Sequence, residues 1–172
     1  MDNKKIPGDY IAGFIDGEGC FALKFRRDKK IRGGTTKEYF YWRAEFAIVL
    51  REDDQEILYE IKKMLSCGSI NKTKNGEQVR YSVQGIKELN DKIIPFFIKH
   101  PLRAKKRLDF NLWAEAIKIL AKYRTGKINI EPGQGSFTKK EIGADDTARL
   151  NEIRDEMVRY KSDRNKDFKW GR

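Results

Sequence analysis

Cysteine is scarce in this chain, with two copies in 172 residues, and long apolar runs are missing altogether. Cys20 and Cys67 are too few for a disulfide framework and lack metal-ligand spacing, so both read as reduced core or strand residues, which suits an intracellular compartment. With 39% hydrophobic and 37% charged residues, the chain offers no stretch that could span a bilayer. The first residues, Met1 to Pro7, contain no apolar h-region of a secretory signal. The expectation is therefore a protein of the bacterial cytoplasm and nucleoid or of an organelle matrix, not secreted and with no membrane partner.

Positive charge is abundant. Lys and Arg number 37 against 26 Asp and Glu, a net charge of +11 with a pI near 9.6. Such an excess concerns partners rather than fold, and polyanions are the natural ones, nucleic acid first. A membrane surface suits it less, because the basic residues do not gather on one amphipathic helix with aromatic anchors. A merely basic soluble protein is the bland alternative.

Hydrophobic spacing orders the chain. Phe21, Leu23 and Phe25 alternate with Ala22, Lys24 and Arg26, the pattern of a strand with one buried face. A charged connection from Arg27 to Lys37, with Gly33-Gly34 inside it, reads as a hairpin loop. The return strand runs from Tyr39 to Leu50, with Phe40, Trp42, Ala44, Phe46, Ile48 and Leu50 on one face. Asp53 or Asp54 can cap a helix through Ile57, Leu58, Ile61, Met64 and Leu65 that ends at Cys67-Gly68. A second hairpin spans 69–84 around Asn75-Gly76.

Ile86, Leu89, Ile93 and Phe97 mark a helix interrupted or stopped at Pro95, and Pro101 opens a long one with Leu108, Leu112, Ala116, Ile119 and Leu120 as its buried stripe. Thr138 to Glu141 matches a capping box ahead of a charged last helix. The expected organisation is one domain over 1–172, with a core at about 7–122, a helical extension at 136–160 and a basic tail at 161–172. Strands joined by hairpins give an antiparallel sheet with helices on one face, an α+β fold. The other face carries Lys24, Arg26, Tyr41, Arg43, Glu45, Asn71, Thr73, Arg80 and Ser82. Donors and acceptors on such a surface suit base edges in the major groove, although an ordinary solvated sheet face has the same composition.

The densest signal is Tyr10-Ile11-Ala12-Gly13-Phe14-Ile15-Asp16-Gly17-Glu18-Gly19. If this is a helix, Asp16 and Glu18 stand at its C-terminal end, where the backbone dipole is already negative. A cation would remove the penalty, and carboxylates with free carbonyls are what a hard divalent ion takes. Gly13 and Gly17 are four apart, as are Ala12 and Asp16, so one helix face is nearly bare and a second backbone could approach it. A glycine-ended helix with a chance carboxylate has the same spacing. No second copy of the pattern occurs in the chain.

Residues 11–19 resemble the nine-residue motif of the LAGLIDADG homing endonucleases, with Glu18 in the final acidic slot. The likeness continues through Phe46 to Asp54, Cys67 to Ile70 and Pro101 to Phe110, covering about Tyr10 to Leu120. It implies a saddle-shaped antiparallel sheet over DNA and, for a single motif, a homodimer whose motif helices meet across a two-fold axis through Ala12, Gly13, Asp16 and Gly17. The resemblance further implies Glu18 and the Gly17 carbonyl as metal ligands. Lys105 matches the basic residue near the scissile phosphate, and Lys106 takes its place if the register slips by one.

Mg²⁺ is the implied metal, with Mn²⁺ as a substitute and Ca²⁺ binding without cleavage. The implied partner is double-stranded, nearly palindromic DNA, cut for mobility of the protein's own intron or intein. One departure stands out: relatives often have Gln where this chain has Leu50, and some have a basic residue where it has Asp54, which leaves water positioning unassigned. Binding of intron RNA as a maturase, or DNA binding without cleavage, is the competing expectation on the same fold. A basic structural protein would explain the charge but not the motif.

Overall fold

In the computed structural model, which describes residues 6–73, 75–123 and 142–166, α1 (Gly8–Glu18) runs directly into β1 (Gly19–Arg32), which turns back as β2 (Thr35–Arg51). A 3-10 turn (Glu52–Asp54) leads to α2 (Glu56–Leu65), β3 (Ser69–Lys72) and β4 (Gln78–Val83). Then come α3 (Ile86–Glu88), a π turn (Leu89–Ile93), α4 (Ile94–Lys99), α5 (Lys106–Lys122) and α6 (Ala144–Lys166). The strands make one antiparallel sheet in the order β1-β2-β4-β3. This is the expected α+β arrangement, and no described helix is long and apolar enough to cross a membrane.

Pairing is one-to-one throughout, with Phe21 opposite Phe46, Leu23 opposite Ala44, and Phe46, Ile48 and Leu50 opposite Val83, Tyr81 and Val79. Because no bulge interrupts it, strict alternation holds and the two faces stay chemically separate. The helix-side face buries an aromatic cluster in which Phe21 touches Phe46, Phe97, Phe110 and Trp113, with ring centroids 5.1 to 5.7 Å apart. Ile11 and Ile15 of α1, Ile61 of α2, and Leu150, Ile153 and Met157 of α6 close around it. Trp113 also donates its indole N–H to the Ala22 carbonyl at 3.2 Å, and Lys161 donates to the Phe21 carbonyl at 2.8 Å. These contacts tie α5 and α6 to β1, a strand at the sheet's edge.

Several local expectations are corrected. Residues 27–32 are strand rather than loop, and the turn is Gly33-Gly34 alone, both with positive φ (54° and 78°), a pair of values that glycine adopts without steric cost. Arg27 and Lys29 both pair with Glu38 across the ribbon, so the charge run is held by its partner strand. The ribbon overhangs the helices, which leaves Phe40, expected inside, 58% exposed.

Neither Asp53 nor Asp54 caps α2; the helix has no side-chain cap, and Asp53 accepts from Arg51 at 2.8 Å. Pro95 does not stop its helix. The wide π turn just before it absorbs the missing N–H, and the helical path continues to Lys99.

On α5 the buried stripe is Phe110, Trp113, Ala114 and Ile117 as well as Ala116, Ile119 and Leu120, while Leu108 is exposed. α6 extends to Lys166, into the stretch expected as a tail. The capping box at Thr138 to Glu141 lies outside the described residues.

Candidate active site and nucleic-acid interface

The C-terminal end of α1 is where sequence and structure meet. This helix has no basic residue in its last turn and ends in Asp16 and Glu18, an arrangement its own dipole opposes. The compensating cation comes from α5: Lys106 donates its ammonium to the carbonyl of Ile15 at 2.9 Å and of Gly17 at 3.0 Å. In return, one carboxylate oxygen of Asp16 accepts the backbone N–H groups of Arg103 at 2.7 Å and Ala104 at 3.1 Å. Those groups belong to the turn that leads into α5, whose N-terminus has no side-chain cap of its own. Each element thus satisfies the other's orphan backbone groups.

This latch revises part of the expected dimer face. Ala12 is 4% exposed and belongs to the chain's own core, so it does not line an outer face. Asp16 is committed to the turn before α5, and its other oxygen is buried without a partner. Gly13 and Gly17 are exposed, and a Cβ built on either would meet nothing within 4 Å. Tyr10 and Phe14 stack on the same helix at 6.5 Å, with Tyr10 54% exposed. The outward stripe of α1 is therefore Tyr10, Gly13, Phe14 and Gly17.

Glu18 is exposed at the helix end, and Lys105 is exposed one residue before the latch lysine. It is Lys106, the second choice from sequence, that sits at the Gly17 carbonyl. The donor types suit a hard cation, since a carboxylate and a carbonyl with a second lone pair lie on consecutive residues. They are few: among the described residues no group of three or more His, Cys, Asp or Glu could hold a metal ion. Leu50 leans on the core, and the Arg51 guanidinium is engaged by Asp53.

The second region is the sheet face turned away from the helices. A shallow cavity of about 410 Å³ is lined there by Lys24, Arg26, Arg43, Glu45, Asn71, Arg80 and Ser82, with Ala22 and Gln84. Two expected members lie elsewhere. Tyr41 stands farther along the ribbon and donates to Asp28 at 2.7 Å, and Thr73 is past the end of β3, its hydroxyl engaged with Asn75 and the Gln78 carbonyl.

Lys24, Arg26 and Arg43 have no ion-pair partner among the described residues, so their charges are available to a polyanion. Glu45 is held by Arg80 at 2.7 Å and Gln84 at 2.8 Å. Burial pushes the Glu45 carboxyl up, but these hydrogen bonds and the nearby charges of Arg80 and Arg43 outweigh it and leave the pKa below the ordinary value. Gln84 escaped the sequence reading, yet continuing the alternation Arg80, Ser82 by one step reaches it.

Residues 11–117 match the LAGLIDADG endonuclease family, and the chain belongs to it. Probable intron-encoded endonuclease 3 of Neurospora crassa is 35% identical over 112 residues, 63% of this chain and 20% of that protein. Indeed, the chain spans only 20% to 37% of the length of the curated relatives it matches. Among solved structures, the homing endonuclease I-TnaI has a TM-score of 0.67 at 22% identity, covering 93% of this chain and 99% of its own. I-SmaMI, solved on uncleaved DNA with calcium ions, gives 0.70 at 23% identity, over 92% of this chain and 47% of its own. These likenesses fix the fold: LAGLIDADG architecture, equivalent in extent to one half of some neighbours and the whole of another.

Proposed function

We propose that this chain is a homing endonuclease that acts as a homodimer, making a metal-dependent double-strand break in a long, near-palindromic DNA target and so serving the mobility of its own intron or intein. The observation that carries the reading is the pairing of an exposed Glu18 and Gly17 carbonyl at the end of α1 with a cation-lined sheet face built from the strands that follow directly on that helix. In the dimer, Glu18 and the Gly17 carbonyl of one protomer would be joined by the same pair from its partner where two motif helices meet. The stripe of Tyr10, Gly13, Phe14 and Gly17 allows that meeting, since nothing projects from its glycines and two aromatic rings flank them.

Mg²⁺ is the proposed ion, held by Glu18 and the Gly17 carbonyl of each subunit together with phosphate oxygens. When bound, it supplies charge compensation at the scissile phosphate and lowers the pKa of a coordinated water. The chain's own residues do the rest. Lys106 holds the helix end in place, Lys105 contributes positive charge beside it, and Lys24, Arg26 and Arg43 bind the duplex.

Purified protein incubated with randomised duplex DNA in Mg²⁺ should give double-strand ends that disappear in Glu18→Gln. Ca²⁺ in place of Mg²⁺ should retain binding without ends. Leu50, an apolar side chain where relatives often have Gln, favours the second reading, a maturase or a binding protein that does not cut. Tight RNA binding with no cut DNA in either metal would establish that reading instead.

A further inference from the structure

We infer that Gln84 is a base-reading residue that selects adenine at one base pair in each half of the target, and that Glu45 is a positioning residue that fixes which way the Gln84 amide faces. The inference rests on the DNA-cleaving reading above and assigns a specificity determinant within it. A carboxylate can only accept hydrogen bonds. Glu45 is ionised at neutral pH, because the pull of Arg80 and Gln84 on its charged form exceeds the push of burial. The Gln84 side chain touching it must therefore present its NH₂ group, as the 2.8 Å contact from Nε2 to Oε1 records. Its carbonyl oxygen is then directed away from Glu45, and its second N–H has no partner among the described residues.

Place and freedom agree with that assignment. Gln84 stands one step beyond the end of β4, where the β2–β4 register, Phe46 opposite Val83, would set it against Glu45. It is exposed on the rim of the sheet-face cavity. An outward acceptor beside an outward donor is the pair that adenine complements in the major groove through N6–H₂ and N7. Arg80 clamps the other oxygen of Glu45 at 2.7 Å, so the carboxylate cannot turn. Glu45, only 14% exposed in its side chain, acts through its neighbour rather than on DNA.

The test is selection from a randomised duplex library without divalent metal, comparing the wild type with Gln84→Ala and Glu45→Gln. Wild type should prefer adenine at one position per half-site. Gln84→Ala should lose about tenfold or more of that preference, while the slope of affinity against salt stays the same. Glu45→Gln, whose amide both donates and accepts, frees Gln84 to flip. Preference at the same position should flatten while affinity for random duplex rises, because a negative charge has left the face.

A merely structural role for Glu45 would instead lower affinity for all sequences with base preferences intact, and that result would overturn the inference. So would an unchanged profile in Gln84→Ala. If wild type bound no duplex at all, the DNA-cleaving reading would fall and this assignment with it; binding with a profile insensitive to Gln84 would sink the assignment alone.

Discussion

β1 and β2 present two chemistries on their two sides, set by alternate residues of the same strands. Toward the helices, Phe21, Leu23, Ala44 and Phe46 are almost wholly removed from water and touch other carbon atoms. Toward the open side, Lys24, Arg26, Arg43 and Glu45 line a shallow cavity in which a single carboxylate stands among cations. The first surface is complete in the chain as it stands. The second is open: among the described residues Lys24, Arg26 and Arg43 have no ion-pair partner, and closely spaced like charges repel one another unless a polyanion covers them. The packing that holds the fold belongs to one face and the proposed binding to the other, with the α1–α5 latch on the helix side. That division can be tested by substitutions on each side.

The largest effect on stability should come from the helix side. Trp113 is fully buried, packs at a tilt against Phe21 with ring centroids 5.1 Å apart and donates to the Ala22 carbonyl. Trp113→Ala should cost about 3–5 kcal/mol in a urea melt. If it melted like the wild type, the aromatic cluster would not be what holds the helices to the sheet.

An intermediate effect belongs to the latch. Asp16→Ala removes the acceptor for two backbone N–H groups ahead of α5 and should destabilise by about 1–2 kcal/mol, as loss of a helix cap does. Asp16→Asn keeps a carbonyl oxygen and should lose less, measured in the same way. Equal losses in the two variants would mean that charge, not the acceptor, is what the turn requires.

Much of this division was legible before any coordinates. A sheet has period two, so Phe21-Ala22-Leu23-Lys24 declares its faces at once, and the unbulged register preserved the assignment for most of the polar set. Helices are harder because more than one stripe can satisfy their period. On α5, Leu108 and Leu112 made an acceptable apolar face, but contact with Phe21 and Phe97 from distant segments selected Phe110 and Trp113 instead.

The same ambiguity misplaced Ala12, whose small side chain does not reveal whether it faces the core or the outside. It also separated Lys105 from Lys106, since one residue on a helix turns a side chain by about 100°. The strand character of residues 27–32 was hidden because the stabilising partner, Glu38, lies across a turn.

The smallest effect on stability, and the one that bears most on function, should come from Arg43. It is exposed, sits opposite Lys24 on the open face, and has no ion-pair partner among the described residues. Arg43→Ala should leave the unfolding free energy in urea within about 0.5 kcal/mol of wild type, because relief of repulsion from Lys24 offsets the lost attraction to Glu45. On DNA the same substitution should cost about 1–3 kcal/mol of discrimination at one base position while leaving the other positions unchanged. Binding curves on single-substitution target duplexes, at fixed salt, measure both quantities in one experiment. A loss spread evenly over all sequences would mean that Arg43 meets phosphate only, and that the open face supplies charge without reading bases. A loss of folding stability comparable to that of Trp113→Ala would break the division of labour itself, because the open face would then be holding the sheet together.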